Sequence, residues 1–127
     1  SYYILTANAM AHGTEMLPII KEYFGAMLSR GATTFWEYWL KPSRSLSHPM
    51  FGSVVASFFD GILGIEQCEG SIGYSRVRIK PADIKGLDRA SGSITTPKGV
   101  ISVSYERRSD GTLDVKIDAP SGVRIVE

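Results

Sequence analysis

Val100-Ile101-Ser102-Val103-Ser104-Tyr105 alternates apolar and polar side chains, and Leu113-Asp114-Val115-Lys116-Ile117 alternates again. A period of two puts successive side chains on opposite faces of an extended strand, so both runs are predicted to be half-buried β-strands. Asp110-Gly111 lies between them, a short-range hairpin signal. Working outward, Pro97-Lys98-Gly99 marks another turn, preceded by Ala90, Gly92 and Ile94 at alternate positions. Val77 and Ile79 alternate with Arg76, Arg78 and Lys80, and residues 123–126 can form a last short strand. Residues 66–127 are therefore expected to form a small antiparallel β unit, half of a sandwich.

Upstream of Gly64 the period changes. Leu17, Ile20, Phe24, Met27 and Leu28 recur at three- and four-residue spacing, which places them on one helix face. Thr14 suits an N-cap, Pro18 falls early enough for a first turn to tolerate it, and Arg30 followed by Gly31 reads as a stop. Residues 2–11 read as the end of an earlier helix closed by Gly13. A third helix is expected over 49–63, with Phe51, Val54, Val55, Phe58 and Ile62 on its apolar face, Ser47 as N-cap and Gly64 as stop. The fold class is thus α+β. Met16, Ile19, Tyr23 and Phe24 spread bulky groups over more than a narrow stripe, so the second helix needs partners on both sides. Further helices are expected to precede Ser1.

Composition narrows the function. Apolar residues make up 43% and charged residues 21% of the 127, the balance of a globular protein. The formal net charge of +1 comes with no run of like charge, which argues against a nucleic-acid surface or a membrane-binding basic patch. No apolar stretch approaches the roughly 20 residues needed to span a bilayer. Cys68 is the single cysteine, so no disulfide can form within the chain. Localisation stays open, since no targeting segment is visible. There are no internal repeats.

Chemistry is expected in the connection over 32–48. Thr33-Thr34-Phe35-Trp36-Glu37-Tyr38-Trp39 surrounds one carboxylate with four aromatic rings. Carbohydrate sites use this combination: ring faces pack on the C–H faces of a sugar, and a carboxylate supplies acid or base chemistry at the anomeric carbon. The same residues also read as a hydrophobic plug, with Glu37 capping a turn or pairing with Arg30 or Arg44. Downstream, Ser45-Leu46-Ser47-His48-Pro49 sets His48 at the start of the third helix, where it either hydrogen-bonds a sugar hydroxyl or caps the helix. His12, near a helix end, reads as a dipole partner. Cys68 and the two histidines lack metal-site spacing, and neither a Ser-His-Asp arrangement nor a phosphate-cradling glycine motif is present, so no metal or cofactor is expected.

Taken in order, these segments resemble the end of the bacterial α-L-rhamnosidases. The likeness rests on Gly31-Ala32-Thr33-Thr34-Phe35-Trp36-Glu37, on Ser45-Leu46-Ser47-His48 with Phe51-Gly52-Ser53-Val54, and on Gly61-Ile62-Leu63-Gly64-Ile65. It continues through Gly73-Tyr74-Ser75-Arg76-Val77-Arg78-Ile79-Lys80-Pro81, Ala90-Ser91-Gly92 and Thr96-Pro97-Lys98-Gly99. The resemblance implies the last helices of an (α/α)6-barrel catalytic domain over 1–65 and a C-terminal β-sandwich over 66–127. It implies hydrolysis of terminal α-L-rhamnosyl linkages with inversion, Glu37 as general base, and His48, Trp36 and Trp39 as sugar-binding residues. The general acid would come from a segment preceding Ser1, leaving the chain inactive by itself. Ser47 stands where many members have Asn, Pro49 where many have Tyr, and the Glu37–His48 connection is shorter than in several. These differences sit at the pocket rim and bear on the preferred sugar and aglycone. From another class, a carbohydrate-binding or interaction module that kept the aromatic loop without a working base fits the same residues.

Overall fold

The computed structural model describes residues 16–39, 41 and 45–126. The chain divides into two compact units, Ser1–Ser57 and Phe58–Glu127. Thr14, the residues 2–11, His12, Gly13 and Arg44 lie outside the described residues.

In the first unit, helix α1 spans Met16–Ser29. Its apolar stripe buries Ile20, Phe24 and Met27, while Leu28, at the edge of that stripe, is 70% exposed rather than part of the core. The helix ends as expected. Gly31 takes φ +83°, its N–H donates to the Leu28 carbonyl, and the Ala32 N–H donates to the Met27 carbonyl (2.9 and 3.1 Å). That pair of bonds satisfies carbonyls the helix would otherwise leave open, and the left-handed turn favours a residue without Cβ. Trp36 and Val54 complete the buried apolar set of this unit.

The third helix differs from the single α-helix expected over 49–63. It is a 3-10 helix over Pro49–Ser53, one α turn over Val54–Ala56 and a π-helix over Ser57–Ile62. Pro49 provides no N–H, and Gly52 lies against the Phe35 ring. The N-cap position is occupied by His48, not Ser47. Val55 and Phe58, expected on the apolar face of this helix, are exposed. Among the described residues no helix is long and apolar enough to cross a membrane.

The second unit holds two three-stranded sheets. Strands β3 (Arg89–Thr96), β4 (Gly99–Arg107) and β5 (Leu113–Asp118) form an antiparallel meander. Its turns match their sequence signals. Thr96 faces Gly99 across Pro97-Lys98, with the Lys98 N–H donating to Thr96 Oγ1 at 3.1 Å. In the next turn the Asp110 carboxylate accepts from the Thr112 N–H and hydroxyl at 2.9 and 2.6 Å, and Gly111 takes φ +88°. The other sheet orders β1 (Ile65–Gln67), β2 (Arg76–Ile79) and β6 (Arg124–Val126) as β1-β2-β6. Here β2 and β6 run parallel, so the β half is not wholly antiparallel as expected. Parallel neighbours need a long crossover, and β6 reaches β2 only after the whole meander.

Alternation supplies the core of this unit: Ile101, Val103 and Tyr105 are buried on one face of β4, with Val77, Ile84, Ile62, Leu63 and Ile65. Leu63 sits so close to β3 that a Cβ on Gly92 would lie 2.6 Å from its Cδ1. Gly64 is held more tightly. It takes φ +65°, and its carbonyl accepts from the Lys80 N–H at 2.9 Å. Arg107 ties residues 83–88 to β4, pairing with Asp83 at 2.8 Å and Asp88 at 3.4 Å and donating to the Ile84 and Leu87 carbonyls.

Candidate functional site

The two segments that carried the chemical signal are joined. The Thr34 hydroxyl donates to the Leu46 carbonyl, the Glu37 N–H to the Ser45 carbonyl at 3.0 Å, and the His48 N–H to the Phe35 carbonyl at 2.6 Å. These three bonds clamp residues 34–37 against 45–48, so Glu37 and His48 stand on adjoining stretches of one loop. Backbone groups in an irregular loop must find partners, and here each segment supplies them to the other.

Both polar candidates are half-buried. His48 has extended backbone, and its side chain makes no capping bond to the helix it precedes. The capping role weighed from sequence is therefore absent, and the imidazole packs instead against Phe51, ring centroids 5.7 Å apart. Arg30, a possible partner for Glu37 on sequence grounds, donates to the Ala26 carbonyl of its own helix at 2.8 Å.

The tryptophans differ in burial: Trp36 is buried and Trp39 half-buried. Trp36 is only 6% exposed. Trp39 is surrounded by Tyr23, Phe24 and Phe51 at centroid distances of 4.6, 6.0 and 5.5 Å. Tilted and edge-to-face contacts of this kind favour packed aromatic rings. The Trp39 indole N–H is buried without a hydrogen-bond partner among the described residues. An orphaned donor of this sort is uncommon and calls for a reason. The exposed ring of the loop is Tyr38, with the Lys41 ammonium 5.9 Å from its centroid.

Two residues escaped the sequence reading of the site. Periodicity places Phe51 on an apolar helix face, yet its ring meets both His48 and Trp39. Nothing in the residue pattern distinguishes Tyr38 from its aromatic neighbours, and its 54% exposure sets it apart. Cavities of about 370 and 390 Å3 lie on the meander, lined among others by Ser91, Ser104 and Lys116. They arise where short serines lie between longer charged side chains, and they contain none of the aromatic loop residues. Among the described residues no group of three or more His, Cys, Asp or Glu could hold a metal ion.

Residues 64–126 match the family model described as the bacterial alpha-L-rhamnosidase C-terminal domain. Among curated proteins, an alpha-L-rhamnosidase of Alteromonas sp. (strain LOR) is 35% identical over 76% of this chain. An alpha-L-rhamnosidase of Formosa agariphila is 29% identical over 73% of it. The matches cover only 11% of each relative's length, so the chain corresponds to a small part of them. The Dictyoglumus thermophilum alpha-L-rhamnosidase structure aligns with TM-score 0.64 and 29% identity, over 79% of this chain and 11% of that one. The Streptomyces avermitilis alpha-L-rhamnosidase, solved with L-rhamnose, shares the fold at TM-score 0.70 and 20% identity, over 96% of this chain and 15% of that one. Residues 64–126 are thus similar to the bacterial alpha-L-rhamnosidase C-terminal domain, and the wider chain to a small part of the alpha-L-rhamnosidases.

Proposed function

We propose that this chain is the C-terminal part of an inverting α-L-rhamnosidase and supplies its general base, Glu37. The observation that carries the proposal is the clamp between residues 34–37 and 45–48, which holds a carboxylate and an imidazole on adjoining backbone beside an aromatic cluster. The names of the similar proteins, all alpha-L-rhamnosidases, support the substrate class. In this reading residues 1–65 contribute the last helices of an (α/α)6 barrel. Residues 66–127 form the C-terminal β-sandwich, with a structural role. The substrate is a terminal α-L-rhamnosyl glycoside.

Inversion requires two carboxyl groups about 6.5–9.5 Å apart, one protonating the leaving oxygen while the other activates water on the opposite face. Glu37 takes the second role: its carboxylate removes a proton from water as that oxygen attacks the anomeric carbon, and no covalent intermediate forms. His48 hydrogen-bonds the sugar. Trp36 and Trp39 back the pocket as rigid packing, leaving Tyr38 as the ring free to meet a sugar or aglycone. The general acid is supplied by another segment of the parent enzyme, and the 127 residues alone are inactive.

Proton NMR of the first-formed product from an aryl α-L-rhamnoside tests this reading in the complete enzyme. β-L-Rhamnose appearing before mutarotation is the expected result. The α-anomer first would make Glu37 a nucleophile or a bystander. Rhamnose binding without turnover would favour a binding module.

A further inference from the structure

We infer that Phe51 is the positioning residue of the site, fixing His48 and Trp39 relative to one another. Its ring is the contact the two share, 5.7 Å from the imidazole and 5.5 Å from the indole, with interplanar angles of 52° and 76°. The backbone reinforces the arrangement. The Phe51 N–H donates to the His48 carbonyl at 3.1 Å, while the His48 N–H is already held by the Phe35 carbonyl at 2.6 Å. The imidazole is thus anchored at its main chain from both sides and laterally by one phenyl ring. Trp39 has Tyr23 and Phe24 as its other neighbours, but neither of those rings makes a ring contact with His48 among the described residues. Displacing a group that orients a sugar by even 1 Å can cost a large part of its contribution, so the ring that sets its place affects sugar binding without touching the sugar.

This inference rests on the rhamnosidase reading and deepens it. The test is a double-mutant cycle in the complete enzyme, with Phe51→Leu, His48→Ala and the pair, reading KM and kcat separately on an aryl α-L-rhamnoside. If Phe51 acts through His48, each single change raises KM about tenfold and the pair raises it little further. Phe51→Tyr, which keeps the ring, restores wild-type KM. Effects that multiply, or an unchanged KM in Phe51→Leu, overturn the role and leave Phe51 as packing. If Phe51→Leu does not fold, Phe51→Met keeps the volume without the ring and carries the same cycle. Wild-type turnover in Glu37→Gln would remove the parent reading itself. Lost turnover there, with multiplying Phe51 and His48 effects, overturns only the positioning role.

Discussion

Replacing Gly64 by alanine should cost far more than the same change at Gly111, although both glycines have positive φ (+65° and +88°). The left-handed backbone alone costs an alanine about 1–2 kcal/mol, and at Gly111 nothing lies within 4 Å of the new Cβ, so that is the whole expected effect. At Gly64 the Cβ would fall 1.8 Å from the Lys80 carbonyl oxygen, 2.1 Å from its carbon and 2.7 Å from the Pro81 nitrogen. All three are main-chain atoms, so no rotamer change relieves the collision. The chain must move, and the 2.9 Å bond from the Lys80 N–H to the Gly64 carbonyl stretches with it. Overpacking and a weakened hydrogen bond bring the total to about 3–5 kcal/mol, a large share of the 5–15 kcal/mol typical of a domain. Urea unfolding of the 127-residue chain, followed by circular dichroism, reads the difference as a lower midpoint at unchanged slope. Equal losses for Gly64→Ala and Gly111→Ala would refute the close approach of residue 64 to residues 80–81.

Three further outcomes follow from the β half. Tyr105 is 2% exposed and its hydroxyl has no hydrogen-bond partner among the described residues, so Tyr105→Phe should raise stability by about 1 kcal/mol in thermal unfolding. Burial raises the Tyr105 pKa, with Arg107 opposing and Asp83 adding, so the fold retains this proton longer than the unfolded chain. Wild-type stability should then fall as the pH rises past the ordinary tyrosine value, a decline that Tyr105→Phe lessens. The Thr112 hydroxyl and N–H hold the Asp110 pKa below the ordinary carboxylate value. Its contribution is full above that ordinary value and fades as the pH falls through the lower folded value, so Asp110→Ala should flatten the acid limb of a stability–pH curve. Arg107→Lys keeps a charge but cannot reproduce the fork that reaches Asp83, Asp88 and two carbonyls. Amide exchange at Leu87 and Arg107, whose N–H groups donate to Ile84 and Asp88, should accelerate; unchanged exchange would show that other contacts hold residues 83–88.

Local pattern carried much of this fold. The three- and four-residue spacing of Ile20, Phe24 and Met27 marked helix α1, and Gly31 marked its end. Pro97-Lys98-Gly99 and Asp110-Gly111 placed both turns of the meander. What failed was nonlocal. Nothing in the alternation of Val77 and Ile79 says that β6 will lie parallel to β2, because that pairing depends on where the chain has been taken in between. Three-residue β1 is too short to show a period. The mixed winding of residues 49–62 arises where Pro49, Gly52 and adjacent Val54-Val55 depart from regular helix preferences, and an apolar count does not register that. At the site, residue type singled out Glu37 and His48, but the bonds joining their segments and the two contacts of Phe51 exist only in three dimensions.

The most direct test is hydrolysis of an aryl α-L-rhamnoside by the complete enzyme, wild type against Glu37→Gln, with rhamnose binding and unfolding temperature measured alongside. Glutamine keeps the shape and removes the base, and a positioned general base is worth about 10²–10⁴-fold in rate. The expected result is a loss of that size with binding and stability retained; hydrolysis at the wild-type rate would contradict the assignment of Glu37 and leave the aromatic loop as packing.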